Sequence, residues 1–512
     1  MTGSAPLDLV GREGALVEPR SVTHSGRRSR RRERSRPTGA HLLVLVQNLS
    51  VPMDRRVWQE CTEAQAAGWR VSVVCPMGAG DVRAEVLDGV RIHRYRAPRE
   101  GRGPLGFARE FLVALLRMAH LVVRVARRER VHVVQACNPP DTMFLIAGML
   151  RLWQRTRFVY DQHDLCPEIF LSRGGTDGAL LHRILVLLER FTFRLADVVV
   201  FPNEAYRQRA RALGRLRVPS YVVMSGPRRD SMRAGPPQLE LAQGREHLLV
   251  YLGVMGPQDG VDHAVDALAE LVHRHRLDVH CAFLGFGDQR ERLMVRAEEL
   301  GLADYCSWPG RVGPEQIKAY LSTASLGIAP DPANPLANVS THNKVLEYMA
   351  HGLPMVCYAL QETQRVAGSA AAVSLVQTPG ALADVAARLL LDPEERRQRG
   401  LAARARLDQN WVWESQAPDY VRAIAQAADR LAAPGATEDL GFSVAAGQRP
   451  VPLALDADGL LVSDGDLADV VVGGQRLGAQ VGALDGLDAT DVIPLSLPIQ
   501  PVVADYRDLT QH

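Results

Sequence analysis

Residues 338–354, NVSTHNKVLEYMAHGLP, carry both ends of a short helix. Ser340 and Thr341 are cap-type residues ahead of a helix expected to begin near His342 or Asn343, and Gly352 with Pro354 stops it. Backbone N–H groups in a first helical turn have no partner inside the helix and carry partial positive charge, so an exposed helix start is a seat for phosphate. Lys344 adds a full charge at that seat. Arginine supplies nearly all the basic residues of this chain, the only lysines being Lys318 and Lys344. A compact ammonium in the first turn is therefore a selective choice over a planar guanidinium. Glu347 lies three residues from Lys344 and shares its face, while Leu346, Ala350 and Leu353 turn toward a core. By spacing alone the pair also fits a salt-bridged surface helix.

Working outward, apolar runs at 326–329 and 354–358 flank this helix as strands, and 248–252 and 279–284 precede them, with helices at 261–273 and after Asp288. Residues 225–245, rich in Gly, Pro and charge, read as a linker. Upstream of it the same alternation runs through strands at 42–46 (LLVLV), 71–75, 131–135, 158–160 and 198–201, with a helix at 54–67 ended by Gly68. The fold class is α/β: two doubly wound Rossmann-like domains, 41–224 and 246–408, facing a cleft. Such sheets bind ligands where their strands end, so the loops after strands are the candidate sites.

Three first-domain loops stand out. QNLSVPMD, followed by Arg55 and Arg56, lacks a GxGxxG, which disfavours an NAD-type site. CNPPDT has paired prolines that fix a turn, with Asp141 placed to start the next helix. YDQHDLCPE sets His163 between Asp161 and Asp164, where a carboxylate could hold the imidazole toward a sugar hydroxyl. A structural histidine is the plainer reading; a metal site would need further His or Cys at ligand spacing.

STHNKVLEYMAHGLPMV, with VYDQHDLCPE, CNPPDT and MDRRVWQE, resembles the retaining GT-B glycosyltransferases of family 4, also called group 1; YLGVMGPQDGVD, FLGFGD and WPGR resemble their second domain. The resemblance implies that Lys344 meets a nucleotide diphosphate, Glu347 the ribose and His163 the reacting sugar or acceptor. It also implies donor contacts at Gly253, Gly285, Gly287, Ser340, Thr341, Asn343 and Asp331, acceptor-side residues Asn138, Asp141 and Arg55, and no essential metal or cofactor. A UDP-sugar is the first expectation for the co-substrate and a GDP-sugar the next. Two departures stand against the family pattern. Asp259 occupies the place of a diphosphate-gripping lysine, and Val339 that of a glutamate eight residues before Glu347. Diphosphate binding is then left to Lys344, helix starts and an arginine from elsewhere, with Asp331 and Asn338 as replacement candidates for the sugar hydroxyls.

The chain has 512 residues and a formal net charge of +2, which argues against a general nucleic-acid binder. Its seven cysteines are scattered without a CxxC pair, as in reduced core thiols of a cytoplasmic protein. Residues 1–40, with GRRSRRRERSRP, read as a disordered basic arm rather than a secretory signal. No stretch is long and apolar enough to span a bilayer. The apolar helix at 107–125, interrupted by Arg109, Arg117, His120 and Arg124, reads as a crossover on the sheet or an interfacial helix, and 179–195 shares the ambiguity. Residues 409–432 form a closing helix that by resemblance packs back on the first domain, near Trp411 and Trp413. Residues 433–512 form an irregular, acidic low-complexity tail without an EF-hand pattern. The expected activity is hexosyl transfer with retention to a sugar or lipid-linked acceptor hydroxyl in glycan, glycolipid or exopolysaccharide synthesis, at the inner face of the cell membrane. A non-hydrolysing sugar-nucleotide epimerase and a non-catalytic sugar-nucleotide-binding relative remain alternatives.

Overall fold

The computed structural model describes residues 39–429 apart from 79, 99–102 and 230–232, together with 454–455 and 461–462, which pair as two short antiparallel strands. The expected basic arm and nearly all of the expected tail lie outside the described residues.

In chain order the first domain is β1 (His41–Val46), α1 (Arg55–Ala66), β2 (Arg70–Pro76), β3 (Ala84–Leu87), β4 (Val90–Tyr95), α2 (Gly103–Arg128), β5 (Val133–Cys137), α3 (Phe144–Gln154), β6 (Arg157–Asp161), α4 (Cys166–Ser172), α5 (Leu180–Leu195), β7 (Val198–Phe201), α6 (Glu204–Ala212) and β8 (Ser220–Val222). The sheet order is β3-β4-β2-β1-β5-β6-β7-β8, and only the β3–β4 pair is antiparallel. All six residues of β1 are buried, as a strand covered on both faces by helices requires.

The second domain follows as β9 (His247–Val254), α7 (Val261–Ala269), β10 (Val279–Phe286), α8 (Arg290–Glu299), β11 (Cys306–Gly310), α9 (Pro314–Thr323), β12 (Leu326–Ala329), α10 (Asn343–Ala350), β13 (Met355–Tyr358), α11 (Gln361–Ala367), β14 (Ala371–Ser374), α12 (Pro379–Leu391), α13 (Pro393–Asn410) and α14 (Trp413–Asp429). Its sheet is fully parallel, ordered β11-β10-β9-β12-β13-β14. Both sheets reverse their winding beside their first strand, between β1 and β5 and between β9 and β12, which opens a crevice at each strand end. The doubly wound α/β reading of the sequence therefore holds for both halves.

The last helix belongs to the first core. Trp413, Tyr420, Ala423 and Ile424 of α14 are fully buried against Val44, Val57 and Val73. Trp411, two residues earlier, packs instead on the second core and donates its indole N–H to the Val366 carbonyl at 3.2 Å. The chain crosses between domains at these residues, beside the outgoing linker: Trp413 N–H bonds the Pro227 carbonyl at 3.0 Å, and a Cβ on Gly226 would collide with the Trp411 carbonyl. All seven cysteines are free, five of them buried.

Candidate functional site

α10 begins at Asn343, but neither expected cap residue caps it. Its N-cap is His342, which makes no side-chain cap bond. Ser340 Oγ instead lies 3.1 Å from the Tyr206 hydroxyl, and Thr341 Oγ1 donates to Glu362 at 2.7 Å while accepting from Asn203 Nδ2 at 3.1 Å. Asn203 Nδ2 also donates to the Val339 carbonyl at 2.8 Å. Leu336 and Val339 pack on the first-domain core. The segment expected to face a donor is thus a strap tying the domains together, and the apolar side chain at 339 is what that packing needs. Asn338 caps nothing closer than the Gln361 N–H at 3.5 Å, and Asn343 is exposed at the helix start.

Lys344 is buried, and its ammonium lies 2.7 and 2.9 Å from the two carboxylate oxygens of Asp331, just after β12. It also stands 4.9 Å over the Tyr251 ring. His342 Nδ1 is 3.2 Å from the same carboxylate. Burial would raise the Asp331 pKa, but His342 and Lys344 hold it below the usual carboxylate range. Asp331 is accordingly committed to Lys344, with His342 beside it, rather than turned to a sugar. Gly253, at the end of β9, touches this lysine: a Cβ there would come within 3.4 Å of Lys344 Cε. Gly285 and Gly287 serve a different end. A Cβ on Gly285 would collide with the Gly253 carbonyl and one on Gly287 with that of Met255, so these glycines let β9 and β10 end side by side.

Asp259, in the place of the family lysine, accepts from the Gly256 N–H at 2.8 Å and shapes its loop. Burial, with Asp331 adding and Lys344 opposing, pushes its carboxyl up to about 6. The start of α10 therefore presents one lysine among two carboxyl groups.

Across the cleft, His163 follows β6. Its Nε2 lies 2.6 Å from Asp161 Oδ2, and its side chain remains 17% exposed, enough to meet a ligand. Burial disfavours the imidazolium, but the Asp161 carboxylate outweighs it and raises the His163 pKa. Asp161 is fully buried and held in turn by Arg56 at 2.7 Å and Gln135 at 3.2 Å. Arg56 also lies 3.3 Å from Glu60, one turn on along α1, and Gln135 donates to Glu60 at 2.7 Å while accepting from Tyr420 of α14 at 2.9 Å. Glu60, Cys137, Asp161 and His163 bring ligand-type atoms within 4.8 Å of one another, yet the Arg56 guanidinium already supplies the cation this cluster needs, so the set fits a metal poorly. Burial and Asp161 push Glu60 up to about 8 against the pull of Arg56.

Asn138 and Asp141 act beneath this loop. Asn138 Oδ1 accepts the backbone N–H groups of His163 and Asp164 at 2.7 and 3.1 Å, and its Nδ2 reaches the Asp164 carbonyl and Asp141. Asp141 accepts from the buried Tyr160 hydroxyl at 2.7 Å and does not cap α3, which starts at Phe144 behind Met143. Both residues are buried supports rather than exposed acceptor contacts. Arg55 does face the cleft, and its guanidinium lies 2.7 Å from Glu347 Oε1 in the second domain. Lys344 and Glu347 each bind a partner outside α10, Asp331 after β12 for the one and Arg55 of the first domain for the other. Sequence reading missed the Arg55–Glu347 contact and the Arg56–Glu60–Gln135–Tyr420 network; the i, i+4 spacing of Arg56 and Glu60 was the local signal for half of the latter.

Residues 53–226 match the glycosyl transferase 4-like domain and residues 246–392 the glycosyl transferases group 1 family, together more than half of the chain. Alpha-D-kanosaminyltransferase of Streptomyces kanamyceticus is 25% identical over 218 residues, 41% of this chain and 55% of that protein, so the match spans about half the length of that curated relative. Among solved structures, sucrose-phosphate synthase from Thermosynechococcus elongatus superposes with a TM-score of 0.62 at 17% identity, covering 77% of this chain and 99% of its own. Anabaena HepE, solved in complex with UDP-glucose, superposes at 0.56 and 16% identity with the same coverage. With both domain types matched in this order on two facing Rossmann-like sheets, the chain belongs to the group 1 glycosyltransferases and has the GT-B fold.

Proposed function

We propose that this protein is a hexosyltransferase that moves a sugar from a nucleoside diphosphate sugar, UDP-linked first and GDP-linked next, to an acceptor hydroxyl with retention and without a resident cofactor or metal. The observation that carries the reading is the meeting of Lys344 with Gly253 at the β9–β12 crevice where α10 starts, with Glu347 on the next turn of the same helix. Lys344 and the helix start would stabilise charge growing on the leaving diphosphate, Glu347 would accept the ribose hydroxyls, and His163 would orient the reacting sugar or acceptor. The likeness to a kanosaminyltransferase and to HepE, solved with UDP-glucose, supports the same chemistry.

We place this work in glycan or glycolipid synthesis at an anionic inner membrane surface, with a lipid-linked or sugar acceptor. The support is α5, which exposes Leu180, Ile184, Leu187 and Phe191 along one stripe beside exposed Arg183, Arg190 and Arg194. On α2, Phe111, Leu112 and Leu116 are exposed as well. No helix among the described residues is long and apolar enough to cross a membrane.

The test is calorimetric titration of the full chain with UDP, GDP, dTDP and ADP, comparing wild type with Lys344→Ala and Glu347→Ala. Selective binding of one nucleotide, lost in both variants, is expected. Binding that ignores both substitutions would place the donor elsewhere, and binding without transfer to any acceptor would favour a non-catalytic relative, the reading that Asp259 and Val339 invite.

A further inference from the structure

The donor seat has a charge deficit. Lys344 is bound by both oxygens of Asp331 and is also felt by Asp259. A nucleoside diphosphate adds at least two negative charges to a place where one ammonium already answers two carboxyl groups. Arg55 is poised at the rim. It is the first residue of α1, its side chain is 42% exposed, and its hydrogen bond at 2.7 Å is to Glu347, whose side chain is only 10% exposed. Glu347 is three residues on from Lys344 along α10, so the carboxylate that holds Arg55 belongs to the same helix start that carries the ammonium.

We propose that Arg55 is a donor-binding residue delivered from the opposite domain, held by Glu347 until a donor binds and transferred to the diphosphate when the ribose arrives. The inference rests on the nucleoside diphosphate seat proposed above. Glu347 accepts hydrogen bonds only, and a ribose offers two hydroxyl donors that satisfy it as well as the guanidinium does. Once they do, Arg55 has a free planar fork beside an anion, and a guanidinium grips phosphate oxygens in pairs. No net ion pair is lost in the exchange: Arg55 leaves a carboxylate for a diphosphate. Because α1 belongs to the first domain and α10 to the second, a bound diphosphate would bridge them and hold the cleft shut. A bare nucleoside would displace Arg55 without giving it a new partner.

The experiment compares UDP with uridine by calorimetry on the full chain, in wild type, Arg55→Ala, Arg55→Lys, Arg173→Ala and Lys344→Ala. Arg173 is the comparison because its charge acts on Asp259 and Asp164 from the same domain. The expected result is a loss of ten-fold or more in UDP affinity in Arg55→Ala while uridine affinity holds or rises, with Arg55→Lys in between. Equal changes for UDP and uridine in Arg55→Ala, or a UDP-selective loss confined to Arg173→Ala, would overturn the inference while Lys344→Ala still abolishes UDP binding. UDP binding that survives Lys344→Ala would overturn the seat, and this inference with it.

Discussion

Lys344 and Asp331 form a buried, two-oxygen ion pair, 2.7 and 2.9 Å, between the start of α10 and the loop that follows β12. The pair fixes the ammonium against Tyr251 and Gly253 at the crevice, and both groups are largely removed from water.

Breaking that pair from one side leaves a buried charge unanswered. Asp331→Asn is expected to destabilise the protein by about 3–5 kcal/mol and to displace the Lys344 ammonium, weakening nucleotide binding. Urea unfolding followed by calorimetric titration checks both; unchanged stability would mean that the pair is solvated.

Glu60 sets a pH dependence. A carboxyl whose folded pKa is raised from 4.5 to about 8 favours the folded state most below the unfolded value, and that advantage drains away as pH climbs toward the folded one. Glu60→Gln, which cannot ionise, is expected to flatten the stability profile between about pH 5 and 8 and to be relatively more stable than wild type at the upper end. Thermal unfolding at several pH values measures this, and parallel profiles would count against it.

His163 holds its proton to a higher pH than a free imidazole does. Its pKa is raised against burial by Asp161, so its stabilising contribution is whole below about 6.5 and is lost as pH rises through the higher folded value. Replacing His163 with Gln should remove that component of the profile while leaving UDP affinity within a few-fold, since Lys344 and Glu347 stand on the other domain. NMR titration of the ring would locate the pKa directly; an unshifted value near 6.5 contradicts the Asp161 contact.

The 337–341 strap predicts an effect of restoring the family residue. Val339→Glu would push a carboxylate into the apolar packing on the first-domain core and should loosen the domains by about 1–3 kcal/mol. Small-angle scattering would report a larger radius of gyration, and an unchanged radius with a gain in transfer activity would refute the strap.

Ile184 and Leu187 carry the membrane reading. An Ile184→Glu/Leu187→Glu pair removes two exposed apolar groups worth about 1.5 kcal/mol each and should cut binding to anionic vesicles by about ten-fold or more, without changing UDP affinity. Flotation with phosphatidylglycerol vesicles tests it; equal binding by both proteins would rule out α5 as the contact.

Local chemistry made the two sheets legible from sequence alone. Buried parallel strands are continuous apolar runs, so LLVLV at 42–46 and LGIA at 326–329 announced β1 and β12, and Gly68 and Gly352 marked helix ends. Short or polar strands, such as β3, β4 and β8, gave no such run and went unread. The start of α10 was likewise written in its residues, because spacing places Lys344 and Glu347 on one face. What each side chain touches was not. Ser340 and Thr341 had the chemistry of caps, and only the arrival of Asn203 and Tyr206 from α6 turned them into a strap. Arg55 and Arg56 are neighbours in sequence, yet one faces the cleft and reaches Glu347 while the other is buried on Asp161 and Glu60. Periodicity fixes the face of an element within its own domain, because that depends on residues a few positions apart. Contacts between groups 105 or 292 positions apart depend on how helices close on their own sheet and how the two domains come together, and that only the tertiary structure decides.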